Sequence, residues 1–259
     1  MTDDLSIDVD EGVATLTLTR PRKRNAVTYD MWNGIARACG ELGADPAVRL
    51  LVVRGEGAHF CAGADIAGLG ATSAADYGAA NEAADHALAT FPKPTIAVIK
   101  GACIGGGAEL AVACDLRIAD TTGRFGITPA RLGIVYPAPA TARVVRVIGP
   151  SATKHLLFSA EIIDAERALR IGLVDEVHPA DALDTRIAEL TDLLAHRRSL
   201  LTQMASKEIV EAAASGTVDP AIPSRWAVHM AGAADPAEGI AAFLQRRSPH
   251  FTWRPPAPS

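Results

Sequence analysis

The segment Thr95 to Asp120, TIAVIKGACIGGGAELAVACDLRIAD, decides how the chain is read. Thr95 to Ile99 is an apolar run of strand length, and Phe91-Pro92-Lys93-Pro94 just before it ends any preceding helix. Gly101 to Gly107 supplies a loop, Ala108 to Ala113 has the length and apolarity of a short buried helix, and Asp115 to Ala119 returns to strand. This is one unit of an α/β fold. A glycine run that opens a helix leaves backbone N–H groups unpaired, with the positive end of the helix dipole behind them. Such a place suits a developing oxyanion. Glu109 stands three residues beyond Gly106, so a helix starting there puts its carboxylate on the same side as the Gly106 amide.

Working outward, Leu50 to Val53 is a second buried-strand run ending at Arg54-Gly55, and it leads into a second glycine-bearing loop, Phe60 to Ile66 (FCAGADI). Tyr29 to Leu42 repeats its apolar residues at helical spacing, and Ala74 to Thr90 is an alanine-rich helix. Leu5 to Asp10 and Val13 to Thr19 alternate around Glu11-Gly12 as a hairpin. Beyond about Gly149 helical patterns dominate, at Ser151 to Ser159, Asp164 to Ile171, Asp181 to His196, Leu200 to Ala214 and Ala237 to Arg246. The expectation is an α/β core followed by a helical C-terminal region.

The 259 residues, 49% apolar and 21% charged, suffice for a substantial core and argue against disorder. With 30 acidic against 25 basic side chains and a net charge of -5, nucleic acid is an unfavoured partner. Cys39, Cys61, Cys103 and Cys114 lack metal-ligand spacing, so no metal site and no disulfide framework are expected. Met1 to Asp10 has no signal-peptide pattern, and the most apolar window, Thr95 to Cys114, is interrupted by Lys100 and Glu109. A cytoplasmic protein that does not span a membrane is the expectation. A dinucleotide fingerprint fails because Cys103 takes its second glycine position counted from Gly101, although Asp120 lies near the distance of a ribose carboxylate. Close packing of the glycines, and a dipole role for Glu109, remain the alternatives to catalysis. His59, the histidine nearest the first loop, reads as a solvated loop residue.

Seven motifs lie in order along nearly the whole chain: Arg22 to Ala26 (RKRNA), Phe60 to Ile66 (FCAGADI), Phe91 to Pro94 (FPKP), Gly105 to Leu110 (GGGAEL), Cys114-Asp115-Leu116, Leu132-Gly133, and Gly239 to Phe251 (GIAAFLQRRSPHF). Together they resemble the crotonase, or enoyl-CoA hydratase/isomerase, superfamily. The resemblance implies a crotonase-like ββα spiral core over residues 1–195 and a helical trimerisation region over 196–259. It implies an oxyanion hole at the backbone N–H groups of Ala64 and Gly106, with Glu109 as the first catalytic glutamate. It also implies a coenzyme site in which Lys23 and Arg24 meet the phosphates while Ala26, Ala62, Asp65 and Ile66 border the adenine; a solvated charge run is the alternative for the two cations. Coenzyme A then enters as part of an acyl-CoA thioester substrate, with no tightly bound cofactor. Arg247 and Phe251 resemble a tail that completes a neighbouring subunit's site, implying a homotrimer or a hexamer of two trimers.

The second glutamate of the hydratases belongs to a segment like FGxPExxLG, whereas Phe125 to Gly133 reads FGITPARLG, with Pro129 in the glutamate's place. Thr128 to Tyr136 (TPARLGIVY) resembles the family's malonyl-type decarboxylases, which makes Tyr136 a candidate catalytic residue. A core phenol satisfied by backbone is its alternative. The leading expectation is an enoyl-CoA hydratase-like lyase. The alternatives are a decarboxylase of a malonyl-type CoA thioester using Tyr136 and a non-catalytic acyl-CoA binder. Residues from Ala67 to Thr90 are expected to border the acyl pocket.

Overall fold

The computed structural model describes residues 4–66 and 72–256; positions 67–71, the first part of the expected acyl-pocket border, lie outside them. Strands β1 (Leu5–Asp10) and β2 (Val13–Leu18) form the expected antiparallel hairpin. Its tight turn, Glu11-Gly12, has positive φ at both residues (45° and 85°), the twist that two-residue hairpins favour. Helix α1 (Tyr29–Ala44), β3 (Leu50–Gly55), α2 (Ala74–Ala89) and β4 (Thr95–Ile99) follow. Then come β5 (Ala102–Ile104), α3 (Gly106–Ala113), β6 (Leu116–Asp120) and β7 (Arg124–Gly126). The remainder is α4 (Ala138–Ser159), β8 (Ile163–Asp164), α5 (Ala165–Arg170), β9 (Glu176–His178), α6 (Leu183–His196), α7 (Leu200–Ala214), α8 (Ala221–Ala231) and α9 (Asp235–Gln245).

The larger sheet has the order β1-β2-β3-β4-β6-β9, parallel from β2 onward, and the smaller has the order β5-β7-β8. Period-two alternation sorts the buried strands between two cores. Leu51, Val53, Ala97 and Ile99 face one core with Trp32 and Leu88 of the first two helices. Leu50, Val52, Ile96, Val98 and Ile118 face the other, closed by Leu183, Ile187 and Leu190 of α6. Covering a parallel sheet on both faces explains why β3 and β4 read as continuous apolar runs. It also leaves the loops at the C-terminal ends of β3 and β4 as the place where a crevice can form.

Several elements exceed what the pattern predicted. α4 starts at Ala138, and the expected helix from Ser151 is only its second half; the two halves meet at Gly149 (φ 74°, ψ 164°) and Pro150. The proline has no N–H to give the first half, so it serves as the start of the second. β5, β7, β8 and β9 are two or three residues long, too short to display an alternation. α8 carries Pro220 as its cap and Pro223 in its first turn, where a missing N–H costs nothing.

The loop after β2 shows how the basic motif is fixed. Pro21–Lys23 forms a single 3-10 turn, and Arg24 and Asn25 follow with φ of 50° and 58°. Asn25 is fully buried: its amide donates to the carbonyls of Glu56 (3.0 Å) and His59 (2.6 Å), and its oxygen accepts from the Arg20 N–H (3.0 Å). Asparagine tolerates the left-handed region better than most residues, so conformation and bonding agree. Asn25→Ala removes the side-chain partner of three part-buried backbone groups and is expected to destabilise the chain by about 2–4 kcal/mol. The measurement is a lowered urea midpoint at unchanged slope.

Candidate active site

The two glycine loops run side by side. Phe60 N–H donates to Lys100 O (2.7 Å), Cys61 N–H to Ala102 O (2.8 Å) and Ile104 N–H to Cys61 O (3.0 Å). On its other side the first loop bonds Val27: Val27 N–H donates to Gly63 O (2.8 Å) and Asp65 N–H to Val27 O (2.9 Å). In such a bridge the residue between the two bonds, Ala64, turns its own N–H to the opposite side. In the second loop Gly105 N–H donates to Gly126 O (2.9 Å), and Gly106 is the first residue of α3, so its N–H lies ahead of the helical ladder. The two amides are neighbours. A Cβ on Gly106 would lie 3.5 Å from Ala64 N, and one on Gly63 would lie 3.5 Å from Gly106 N and 2.9 Å from Ile104 O. Gly63 also holds φ at +104°, which leaves little choice of residue.

Ala64 and Gly106 line a cleft of about 290 Å³ together with Glu109, Asn81, Tyr77 and Trp32. Larger hollows exist, one of about 590 Å³ beside α7, but the charges along it are paired: Lys207 with Asp115 (2.8 Å), Arg117 with Asp175 (2.9 Å), and Arg143 with Asp85. Glu109 is different. It is 2% exposed, and its Oε1 has no hydrogen-bond partner among the described residues. Burial raises its pKa from 4.5 to about 7, against the opposing effect of a hydrogen bond from Asn81. A carboxyl poised there can both accept and return a proton near neutral pH.

The sequence reading missed Trp32, and it included Tyr77 and Asn81 only within the Ala67 to Thr90 stretch expected to border the acyl pocket, without singling them out. Trp32 Nε1–H donates to the Tyr77 hydroxyl (2.8 Å), which donates to Val27 O (3.2 Å), so the cleft wall is tied to the bridge that aims Ala64. A signal was present in α2: Tyr77, Asn81 and Asp85 recur every fourth residue, and Asn81 and Asp85 are both buried on that inward face.

Tyr136 also lines the cleft, yet its hydroxyl donates to the carbonyl of Gly105 (3.1 Å). That is the backbone-satisfied arrangement weighed for it as the alternative to a proton donor. Burial first, then the charge of Glu109, raises its pKa well above 10, so it stays a phenol. Pro129 is buried in the wall, and Glu109 is the one carboxylate among the described lining residues.

Of the expected coenzyme residues, Ala62 and Ile66 line the cleft, and Lys23 and Arg24 are exposed on the adjoining turn. Ala62 N–H donates to Arg24 O (2.9 Å). Arg20 joins Ala26 and Asp65, donating to Ala26 O (2.6 Å) and pairing with the Asp65 carboxylate (2.8 Å). The guanidinium of Arg247 pairs with Glu238 of its own chain (2.5 and 2.7 Å). His59 is not merely solvated: its Nδ1 accepts the Ala102 N–H (3.1 Å), fixing the second loop. Among the described residues no cluster of three or more His, Cys, Asp or Glu gathers to hold a metal ion, and no helix is long and apolar enough to cross a membrane.

A family model for enoyl-CoA hydratase/isomerase matches residues 8–254. A Mycobacterium tuberculosis protein named as a probable enoyl-CoA hydratase is 34% identical over 250 residues, covering 96% of this chain and 97% of the relative. The crotonyl-CoA hydratase of Syntrophomonas wolfei is 33% identical over 255 residues, covering 96% and 98%. Among solved structures, an enoyl-CoA hydratase/carnithine racemase from Magnetospirillum magneticum superposes with a TM-score of 0.91 at 32% identity, covering 97% of this chain and 96% of that one.

The state of Glu109 has a consequence for stability. Its carboxyl holds a proton more tightly folded than unfolded, so the folded chain binds more protons between pH 4.5 and about 7. Stability therefore declines as pH rises through that window, and the full cost of a buried carboxylate is present above it. Glu109→Gln removes that cost. The variant should exceed the parent by on the order of 3 kcal/mol at pH 8, with the difference vanishing near pH 4 in paired urea titrations.

Proposed function

The chain belongs to the enoyl-CoA hydratase/isomerase family as an enzyme of enoyl-CoA hydratase-like function, and from that premise we propose that one carboxyl group, Glu109, performs both proton transfers of hydration. In this reading the N–H groups of Ala64 and Gly106 receive the thioester oxygen of an enoyl-CoA. Conjugation passes charge to that oxygen as water attacks the β carbon, and fixed amides stabilise it without reorganising. Ionised Glu109 takes a proton from the attacking water, the C–O bond forms, and the π electrons move into an enolate. The carboxyl then returns that proton to the α carbon. Water has been added and Glu109 is ionised again.

The observation that carries the proposal is the buried, unpartnered Oε1 of Glu109, one helical turn from the amide of Gly106 and in the same cleft. Glu109→Gln should lower kcat for hydration of crotonyl-CoA by about 10²–10⁴-fold, followed as loss of enoyl-thioester absorbance. Wild-type turnover in the variant excludes Glu109 from the role. Pro129 favours a second reading, decarboxylation of a malonyl-type CoA thioester, because loss of CO₂ makes the enolate without a base. Turnover of methylmalonyl-CoA but not of crotonyl-CoA selects it. Tight CoA-thioester binding without turnover over a broad acyl panel selects a binder.

The coenzyme belongs, in this reading, beside the exposed cations Lys23 and Arg24, with Ala26, Ala62, Asp65 and Ile66 bordering it, and no tightly bound cofactor is required. Replacing Lys23 and Arg24 together by alanine should raise KM for crotonyl-CoA about fivefold while kcat holds, and added salt should shrink the difference. We place the enzyme in the cytoplasm. Residues 196–259 are proposed as its assembly element, since α8 and α9 expose Val228, Met230, Ile240, Phe243 and Leu244. Light scattering decides between trimer, hexamer and monomer.

A further inference from the structure

The peptide joining Gly105 to Gly106 has two ends with different surroundings. Its N–H, on Gly106, belongs to the cleft wall. Its C=O, on Gly105, accepts two hydrogen bonds: one from the N–H of Glu109 (3.0 Å), the first of the α3 ladder, and one from the hydroxyl of Tyr136 (3.1 Å). The peptide presenting the other donor, Gly63 to Ala64, takes its strong bond at Gly63 O from a main-chain group, Val27 N–H (2.8 Å). Besides that bond Gly63 O has, among the described residues, only a long thiol contact from Cys61 (3.8 Å), so the second donor peptide is the one held from behind by a removable side-chain hydroxyl.

We propose that Tyr136 is a positioning residue that acts through the Gly105 carbonyl, fixing and polarising the Gly105-Gly106 peptide so that the Gly106 N–H is a stronger donor to the substrate oxygen. This rests on the reading of Ala64 and Gly106 as the oxyanion donors. A carbonyl that accepts hydrogen bonds draws electron density along the amide and leaves its N–H more positive, the cooperativity of hydrogen-bonded chains. The low polarity around a buried group enlarges the effect. Tyr136 is 9% exposed and stays protonated, so its hydroxyl proton is available to Gly105 throughout the reaction. The residue is held in place from the other side by its sequence neighbours: Pro137 caps α4, and the Pro137 carbonyl accepts the Thr141 N–H (2.9 Å), anchoring the chain next to the ring.

The test separates polarisation from scaffolding. Tyr136→Phe keeps the ring and removes the hydroxyl; kcat for crotonyl-CoA should fall about tenfold, less than the loss of a whole donor, with KM within about twofold. In the Glu109→Gln background, where turnover is expected to be slow enough to observe bound substrate, the carbonyl stretch of ¹³C-edited crotonyl-CoA should lie below its value in water. Adding Tyr136→Phe should return part of that downshift. Replacing Tyr136 by 3-fluorotyrosine, a more acidic phenol of nearly the same size, should deepen it and keeps the test open should the phenylalanine variant fold poorly. An unchanged stretch in the phenylalanine and fluorotyrosine proteins overturns the proposal, even if kcat or the melting temperature falls, because a structural role alone would then account for Tyr136. A Glu109→Gln protein that binds crotonyl-CoA with no downshift at all removes the oxyanion reading itself, and this proposal with it.

Discussion

Main-chain hydrogen bonds between residues 60–61 and 100–104 hold two loops from different strands at a spacing that side chains alone could not fix. The approach is close enough that a Cβ on Gly107 would come 2.3 Å from Cys61 O, and one on Gly101 would come 2.3 Å from Ala58 O. These glycines serve contact between backbones. Their absence of side chains lets α3 begin against the first loop, and that junction brings Ala64 and Gly106 together. If these amides receive the substrate oxygen as proposed, displacing one by an ångström would forfeit much of the stabilisation they supply, which makes the rigidity of this seam central to that reading. The flanking supports fit that requirement: Asn25 and His59 pin one end of the seam, and Val27, bonded to Tyr77, pins the other.

Against this fixed frame stands a group held at a cost. The carboxyl of Glu109 is buried with Oε1 unpaired, and only the Asn81 bond offsets the loss of water. A second donor to Oε1 would lower its proton affinity and make the chain more stable, but it would also occupy the oxygen that meets substrate in the proposed reading. The unpaired oxygen of Glu109 belongs to a carboxyl that lines the cleft and has no cation paired with it among the described residues, whereas Asp85, which also keeps one oxygen unpaired, is neutralised by Arg143. Both carboxyls keep an unpaired oxygen, and they differ in charge compensation: Asp85 has a guanidinium against it and Glu109 has no ion-pair partner among the described residues.

Much of this was legible in the sequence because the decisive features are local. The strand, glycine run and glutamate of residues 95–109 lie within one short segment, so their order alone places donor and acid on one side. The motif order gave the family for the same reason. Trp32 was not legible, and Tyr77 and Asn81 only faintly so, since their role depends on how α2 packs between α1 and α3 and an alanine-rich helix marks its buried face by little more than their four-residue spacing. The first half of α4 was hidden by Gly149-Pro150, which reads as a terminus and proves to be a kink between two helices. Strands of two or three residues escaped because alternation needs length to be visible.

Pro129 and Tyr136 are two consequences of one segment. Pro129 opens the 3-10 turn Pro129–Arg131, and its carbonyl accepts the N–H groups of Leu132 (2.9 Å) and Ile134 (3.3 Å). That curl brings the chain back with Gly133 at φ +69° and delivers Tyr136 to the carbonyl of Gly105. A glutamate at position 129 would have projected a carboxylate toward the cleft; a proline instead fixes φ and stiffens the approach to the tyrosine. In the proposed reading, the lack of a second carboxylate and the support behind the Gly105-Gly106 peptide arise from the same turn. On that reading the reaction leans on electrostatic stabilisation of the enolate more than on proton shuttling, with Glu109 as the sole carboxylate among the described cleft residues.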